Sequence, residues 1–173
     1  MALSNTRFSA QHLWWPENSL TLTKLEPALL PLISSTGSLT QALVDLSDGN
    51  FSVKLLSQGI VGPKLHEQIA LGYPLSRAAI VREVELQLYG ESVVFARSII
   101  PLTLAKNSLA NLGAKPLGHL LFKDGKIRVS KRQYSEINIG SLKLNARRTP
   151  YDYQGAQILV SEFFLPKIYD YCI

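Results

Sequence analysis

The strongest constraint on how this chain folds is a run of alternating residues that turns on a glycine and comes back. Ile80, Val84, Leu86 and Leu88 alternate with Val81, Glu83, Glu85 and Gln87, the period of two of a half-buried strand. Gly90-Glu91 reads as a two-residue turn and Val93 to Ile100 as the returning strand, so a β-hairpin is predicted. Its second strand is apolar on both faces apart from Arg97 and Ser98 and is expected to be covered on both.

Other extended segments are predicted at Phe51 to Ile60, Lys126 to Ile139, Leu142 to Tyr151 and Ala156 to Leu165, with turns at Gly140 and Gly155. Leu25 to Ile33 and Leu39 to Leu46 read as short helices, the first ended by Gly37 and the second capped by Ser38. Leu109, Leu112 and Leu117 to Phe122 suggest helical pieces divided by Gly113 and Pro116, and Val61 to Leu75 reads as a long loop. Helices and strands do not alternate regularly. The expectation is therefore an α+β fold, one domain over residues 1–173, with a mainly antiparallel sheet flanked by short helices.

A chain of 173 residues that is 46% hydrophobic and 18% charged can build one core and is too apolar for disorder. Its net charge of +5 suits an anionic partner without naming one. The single cysteine, Cys172, sits in what reads as an exposed tail; it excludes an intramolecular disulfide and a thiolate metal cluster. The first twenty residues have neither an apolar core region nor a small-residue cleavage site, so a reducing, cytoplasmic setting is expected. No apolar run approaches the roughly 18 residues that span a bilayer, and no membrane insertion is expected.

Strand phase puts charge on apolar faces. Arg82 shares a face with Ile80, Val84, Leu86 and Leu88; a turn at Gly90-Glu91 would set Val84 opposite Arg97 and Arg82 opposite Ile99, so that both arginines point the same way. In the last strand Glu162 falls in phase with Ile158, Val160 and Phe164. An arginine stays charged when buried, and an unpaired charge in a dry interior costs several kcal/mol or more, so each inward charge needs a partner. One solution is an internal ion pair between Glu162 and an arginine; the excess of positive charge favours a pocket for a carboxylate, which the guanidinium fork matches.

Other chemistry is weakly supported. His12, His66 and His119 have no spacing that gathers metal ligands, and no metal is expected. No serine sits in a nucleophile elbow, and Gly113, Gly118 and Gly125 match no phosphate-binding loop. Arg128, Lys131, Arg132 and Arg147-Arg148 read as a solvated strand face, with a nucleic-acid patch as the lesser alternative. Phe163 and Phe164 read as core, with ligand lining the alternative.

These blocks, in order, resemble the chorismate lyase family: Thr36-Gly37-Ser38-Leu39-Thr40, Val81-Arg82-Glu83-Val84 with Gly90-Glu91, Phe95 to Pro101, Leu112-Gly113 with Pro116-Leu117-Gly118, Arg147-Arg148, and Ser161 to Pro166. The resemblance implies a chorismate lyase-like sheet with an enclosed ligand cavity under helical flaps. It implies a cofactor-independent carbon-oxygen lyase that makes 4-hydroxybenzoate and pyruvate from chorismate, the first committed step towards ubiquinone, with slow product release and product inhibition. The family's ligand-binding arginine falls on Arg82, its acidic residue on Glu162, its ligand-contacting leucine on Leu117 and its backbone-contacting apolar residue on Leu39. Arg82 and Glu162 are the catalytic candidates. For Arg97 two roles stand open, binding the enolpyruvyl carboxylate or pairing with Glu162. Departures occur at Ser92 and Val93, where the family often has Pro-Trp, and at Asn145, where an aromatic is frequent.

The implied partners are a small-molecule substrate and its product, with no nucleic acid and a monomeric chain. The main rival is a non-catalytic effector-sensing domain of the same fold. Such a sensor normally follows a DNA-binding domain, and the 35 residues ahead of the first matching block are too few for one.

Overall fold

A computed structural model describes residues 13–105, 112–123, 125, 127–139 and 141–172. Expectations at His12, Leu109, Lys126 and Gly140 lie outside the described residues. The described strands are β1 (Trp15–Pro16), β2 (Phe51–Val61), β3 (Ala79–Leu88), β4 (Glu91–Pro101), β5 (Arg128–Val129), β6 (Gln133–Ile139), β7 (Leu142–Tyr153) and β8 (Ala156–Phe164). They form one antiparallel sheet ordered β1-β6-β7-β8-β4-β3-β2, with β5 also paired to β7. Two meanders, β2-β3-β4 and β6-β7-β8, join where β8 pairs with β4, which brings the two halves of the chain onto one surface. Among the described residues five short helices flank it: α1 (Ser19–Leu22), α2 (Leu30–Ile33), α3 (Leu39–Leu46), α4 (Leu65–Leu71) and α5 (Leu117–Lys123). This is the α+β class expected. Among the described residues no helix is long and apolar enough to cross a membrane.

The hairpin corrects the predicted register. Its turn is Tyr89-Gly90, with φ of 49° and 80°, the two positive φ values of a type I′ turn. Leu88 therefore pairs with Glu91 and Gln87 with Ser92, but the next pair is Leu86 with Val94. Val93 is an extra residue, and this bulge reverses the phase of the rest of β4. Ser98 rather than Ile99 stands opposite Arg82, and Arg97 stands opposite Glu83 on the other face. Two departures from the family pattern sit at this bulge: Val93 is fully buried, and the Ser92 hydroxyl donates to Glu85 at 2.8 Å.

Val61 to Leu75 is not a plain loop, because α4 lies within it. The Lys64 N–H donates to the Glu67 carboxylate at 2.8 Å, and Gly72, in the left-handed region at φ 62°, ends the helix. Its pattern misleads because Leu65 and Ile69 are exposed while Glu67 and Gln68 are buried. Cys172 likewise is half-buried against the α2–α3 core, not in an exposed tail.

The helices divide the core. On one face α2 and α3 pack Leu32, Ile33, Leu39 and Leu43 against Val84, Leu86, Val94 and Phe164. Alongside, α5 packs Leu117 and Leu121 against Ile80, Ile100, Ile158 and Val160. The opposite face carries separate clusters around Phe95 and Phe163, and around Ile99 and Leu159 near α4. Phe163 and Phe164 are thus both core, on opposite faces. With both faces covered, β3 is buried almost throughout and is not the half-buried strand its alternation suggests.

Candidate active site

A cavity lies at the seam between the α2–α3 core and the α5 core. The sheet supplies its floor through Arg82, Val84, Ala96, Ser98, Val160 and Glu162. Leu39 and Thr40 at the start of α3, and Pro116, Leu117 and Gly118 at the start of α5, form the opposite wall, with Tyr151 at one side. Four sequence-predicted residues, Leu39, Arg82, Leu117 and Glu162, therefore meet in one space although they are spread over 124 positions, from 39 to 162 inclusive.

Arg82 is 1% exposed. Its Nη1 donates to Gln58 Oε1 at 3.2 Å and to the Gly113 carbonyl at 2.7 Å, and its Nη2 to the Lys115 carbonyl at 3.0 Å. The carbonyls come from a turn closed by the Lys115 N–H on the Leu112 carbonyl, in which Gly113 takes a φ of 54°. All three partners are neutral, and no carboxylate of the described residues lies within 4.0 Å of this guanidinium. Burial accordingly pulls its pKa below the ordinary arginine value. The cavity holds a cation with no countercharge.

Glu162, two strands away across the sheet, has its partner already. Arg147 on β7 stands directly opposite and donates from Nε to Oε2 at 2.5 Å. Arg147 is fully buried, and its Nη1 also donates to the Ile33 and Ser35 carbonyls at 2.9 and 3.2 Å, tying the sheet to the α2–α3 connection. Burial pulls the Arg147 pKa down, and the charge and hydrogen bond of Glu162 raise it by more, leaving it above the ordinary value. Among the described residues nothing donates to Glu162 Oε1, the oxygen free to accept from a ligand.

Arg97 is not in this cavity and does not pair with Glu162. On the opposite face its Nε and Nη1 bond Glu67 Oε1 and Glu83 Oε1, both at 2.7 Å. This is a buried structural cluster that fastens α4 to the sheet. Arg97→Met would leave two carboxylates unpaired and is expected to lower unfolding stability by about 3 kcal/mol or more in a urea titration, with ligand affinity of the folded protein unchanged.

The arginines read as a solvated strand face are also placed differently. Arg132, Arg147 and Arg148 are 2%, 0% and 7% exposed. Arg147, the countercharge of Glu162, is the functional residue that sequence reasoning missed; carrying strand phase across the β7–β8 pair would have found it. Among the described residues no group of three or more His, Cys, Asp or Glu gathers in a metal-binding arrangement.

The two helices over the cavity touch through Gly118. A Cβ there would stand 2.8 Å from Thr40 Oγ1 and 3.3 Å from Ser38 Oγ, so glycine is what lets α5 close on α3.

A family model described as chorismate lyase matches residues 9–172. A protein of Pseudomonas aeruginosa named "Probable chorismate pyruvate-lyase" is 32% identical over 170 residues, 90% of this chain and 96% of its own. A protein of Methylococcus capsulatus with the same name is 33% identical over 147 residues, 76% and 91% of the two chains. Among solved structures, the effector domain of PhnF from Mycobacterium smegmatis superposes with a TM-score of 0.59 at 12% identity, covering 77% of this chain and 91% of that one. A GntR-family transcriptional regulator from Bacillus cereus gives 0.53 at 9% identity, covering 68% and 93%. These two likenesses concern the fold alone.

Proposed function

The chain belongs to the chorismate lyase family, and from that premise we propose that it converts chorismate to 4-hydroxybenzoate and pyruvate, supplying the ring of ubiquinone. The observation that carries this reading is Arg82, a buried guanidinium in an apolar cavity with neutral partners only. It receives the ring carboxylate. Arg82 and Glu162 stand on strands separated by β4 and are two residues out of register, so their backbones are roughly 12 Å apart, which leaves room for a ring whose opposite ends carry the carboxylate and the hydroxyl. Glu162 Oε1 accepts the ring hydroxyl, and Leu39 and Leu117 enclose the ring.

The chemistry is an elimination. The proton leaves the carbon that bears the ring hydroxyl, the bond from the neighbouring ring carbon to the enolpyruvyl oxygen breaks, and the released enolpyruvate takes up a proton to become pyruvate. Aromatisation drives it. The chain's own work is to orient the substrate, exclude water and accept the ring proton, and Glu162 is the base within reach. The protein acts as a cytoplasmic monomer without metal or cofactor.

The test is to mix the metal-stripped protein with chorismate and follow 4-hydroxybenzoate absorbance and pyruvate together. Equal yields over many turnovers support the lyase. Saturable binding of aromatic carboxylates without turnover would instead make it a sensor of the effector-domain kind.

Closure of α5 on α3 buries the product and makes its release slow. Gly118→Val, which forces the two helices apart, is expected to weaken 4-hydroxybenzoate inhibition by roughly 5–30-fold, about 1–2 kcal/mol. Inhibition constants measured with chorismate as substrate check this.

A further inference from the structure

A second arginine in the same layer also lacks a countercharge. Arg82, Ser98, Val160 and Thr149 form one row across β3, β4, β8 and β7. The β6–β7 register, carried back one residue from the Gln133–Arg148 pair, puts Arg132 at the far end of that row. Arg132 is 2% exposed. Its Nη1 donates to the Ser34 carbonyl at 3.2 Å, while its Nε and Nη2 are buried and have no hydrogen-bond partner among the described residues. The Glu17 N–H bonds the Arg132 carbonyl, yet the Glu17 carboxylate accepts from the Tyr134 hydroxyl at 2.9 Å. No carboxylate of the described residues lies within 4.0 Å of Arg132. Arg132 does not itself line the cavity; it stands opposite Thr149, two residues along β7 from Tyr151, which does.

Arg147 and Glu162 neutralise each other, so among the described residues two buried cations remain on this face, Arg82 on the cavity floor and Arg132 just beyond its lining, past Thr149. Orphaned guanidinium N–H groups in a dry interior are costly, and a carboxylate is the partner whose geometry matches an Nε–Nη2 edge. We propose that Arg132 is the receptor for a second carboxylate, the one on the enolpyruvyl arm, so that the cavity is built for a dianion and holds the monoanionic aromatic product by Arg82 alone. This rests on the lyase reading and sharpens it: cleavage separates the two carboxylates, and the arm's hold on the protein is lost with the bond.

The test compares two ring ligands in calorimetry, 3-(carboxymethoxy)-4-hydroxybenzoate and its arm-neutral analogue 3-ethoxy-4-hydroxybenzoate. The wild-type protein is expected to prefer the dicarboxylate at least tenfold, and Arg132→Met to lose that preference while binding 4-hydroxybenzoate as before. With chorismate, Arg132→Met should lower kcat/KM by about 30–300-fold, and Arg132→Lys should recover part of it. A merely structural arginine beneath Ser34 would weaken both ring ligands together, and that result overturns the proposal. So does a wild-type protein with no preference, a measurement that needs no variant to fold. Turnover of chorismate without the preference would sink this inference and leave the lyase standing; preference without turnover would keep the second carboxylate site and sink the lyase.

Discussion

Arg82→Met is expected to cut kcat/KM for chorismate by roughly 10²–10³-fold, about 3–4 kcal/mol, the loss typical of one partner of a buried charged hydrogen-bonded pair. The same change should not destabilise the unliganded protein much. In the free cavity the guanidinium is desolvated against neutral acceptors, with its pKa pulled down by burial, and removing it removes that cost along with three hydrogen bonds. The ligand-induced rise in melting temperature should vanish while the unliganded melting temperature stays close to wild type. A structural arginine would behave the other way, with a large fall in melting temperature and ligand stabilisation retained in whatever folds.

The Arg147–Glu162 pair should behave in the opposite sense. Arg147→Met leaves Glu162 buried without a countercharge and frees the carbonyls of Ile33 and Ser35, so a loss of about 3–5 kcal/mol in unfolding free energy is expected, enough to threaten folding. Glu162→Gln keeps an acceptor towards Arg147 Nε and is expected to fold. If Glu162 takes the ring proton, Glu162→Gln loses about 10²-fold or more in kcat with little change in product affinity. If it only accepts the ring hydroxyl, product affinity falls and kcat changes little. Single-turnover rates beside equilibrium titration with 4-hydroxybenzoate separate the two.

How far these residues could be read in advance follows from the local nature of strand phase. Alternation along β3 and β8 suffices to put Arg82 and Glu162 on faces that are otherwise apolar, and that placement survives because it needs only each strand's own pattern. Relating one strand to its neighbour needs the register. There one extra residue at Val93 turned Arg97 to the opposite face, and nothing in the local pattern of β4 marks a bulge. Helix α4 is hidden because it exposes Leu65 and Ile69 and buries Glu67, which breaks the amphipathic pattern; it is held by the Arg97–Glu67 pair as well as by Leu71 in the apolar cluster of Ile99 and Leu159. Arg132 and Arg147 resemble solvated strand residues by type. Only the pairing of β6 with β7 and β7 with β8 places them in the interior, facing Glu162 and the α2–α3 connection. Ordered motifs over most of the chain carried Leu39 and Leu117 to the site, for which strand and helix periodicity alone offered no signal.

If Arg82 is left uncompensated in order to hold a carboxylate, a cycle between residue and ligand measures that coupling directly. Calorimetric titration of wild type and Arg82→Met, each with 4-hydroxybenzoate and with its neutral amide, 4-hydroxybenzamide, isolates the coupling of guanidinium to carboxylate from everything else the variant changes. A wild-type preference for the acid of about 10²-fold that disappears in Arg82→Met is the predicted result. A preference that persists in the variant would mean that another group holds the carboxylate and would contradict the account.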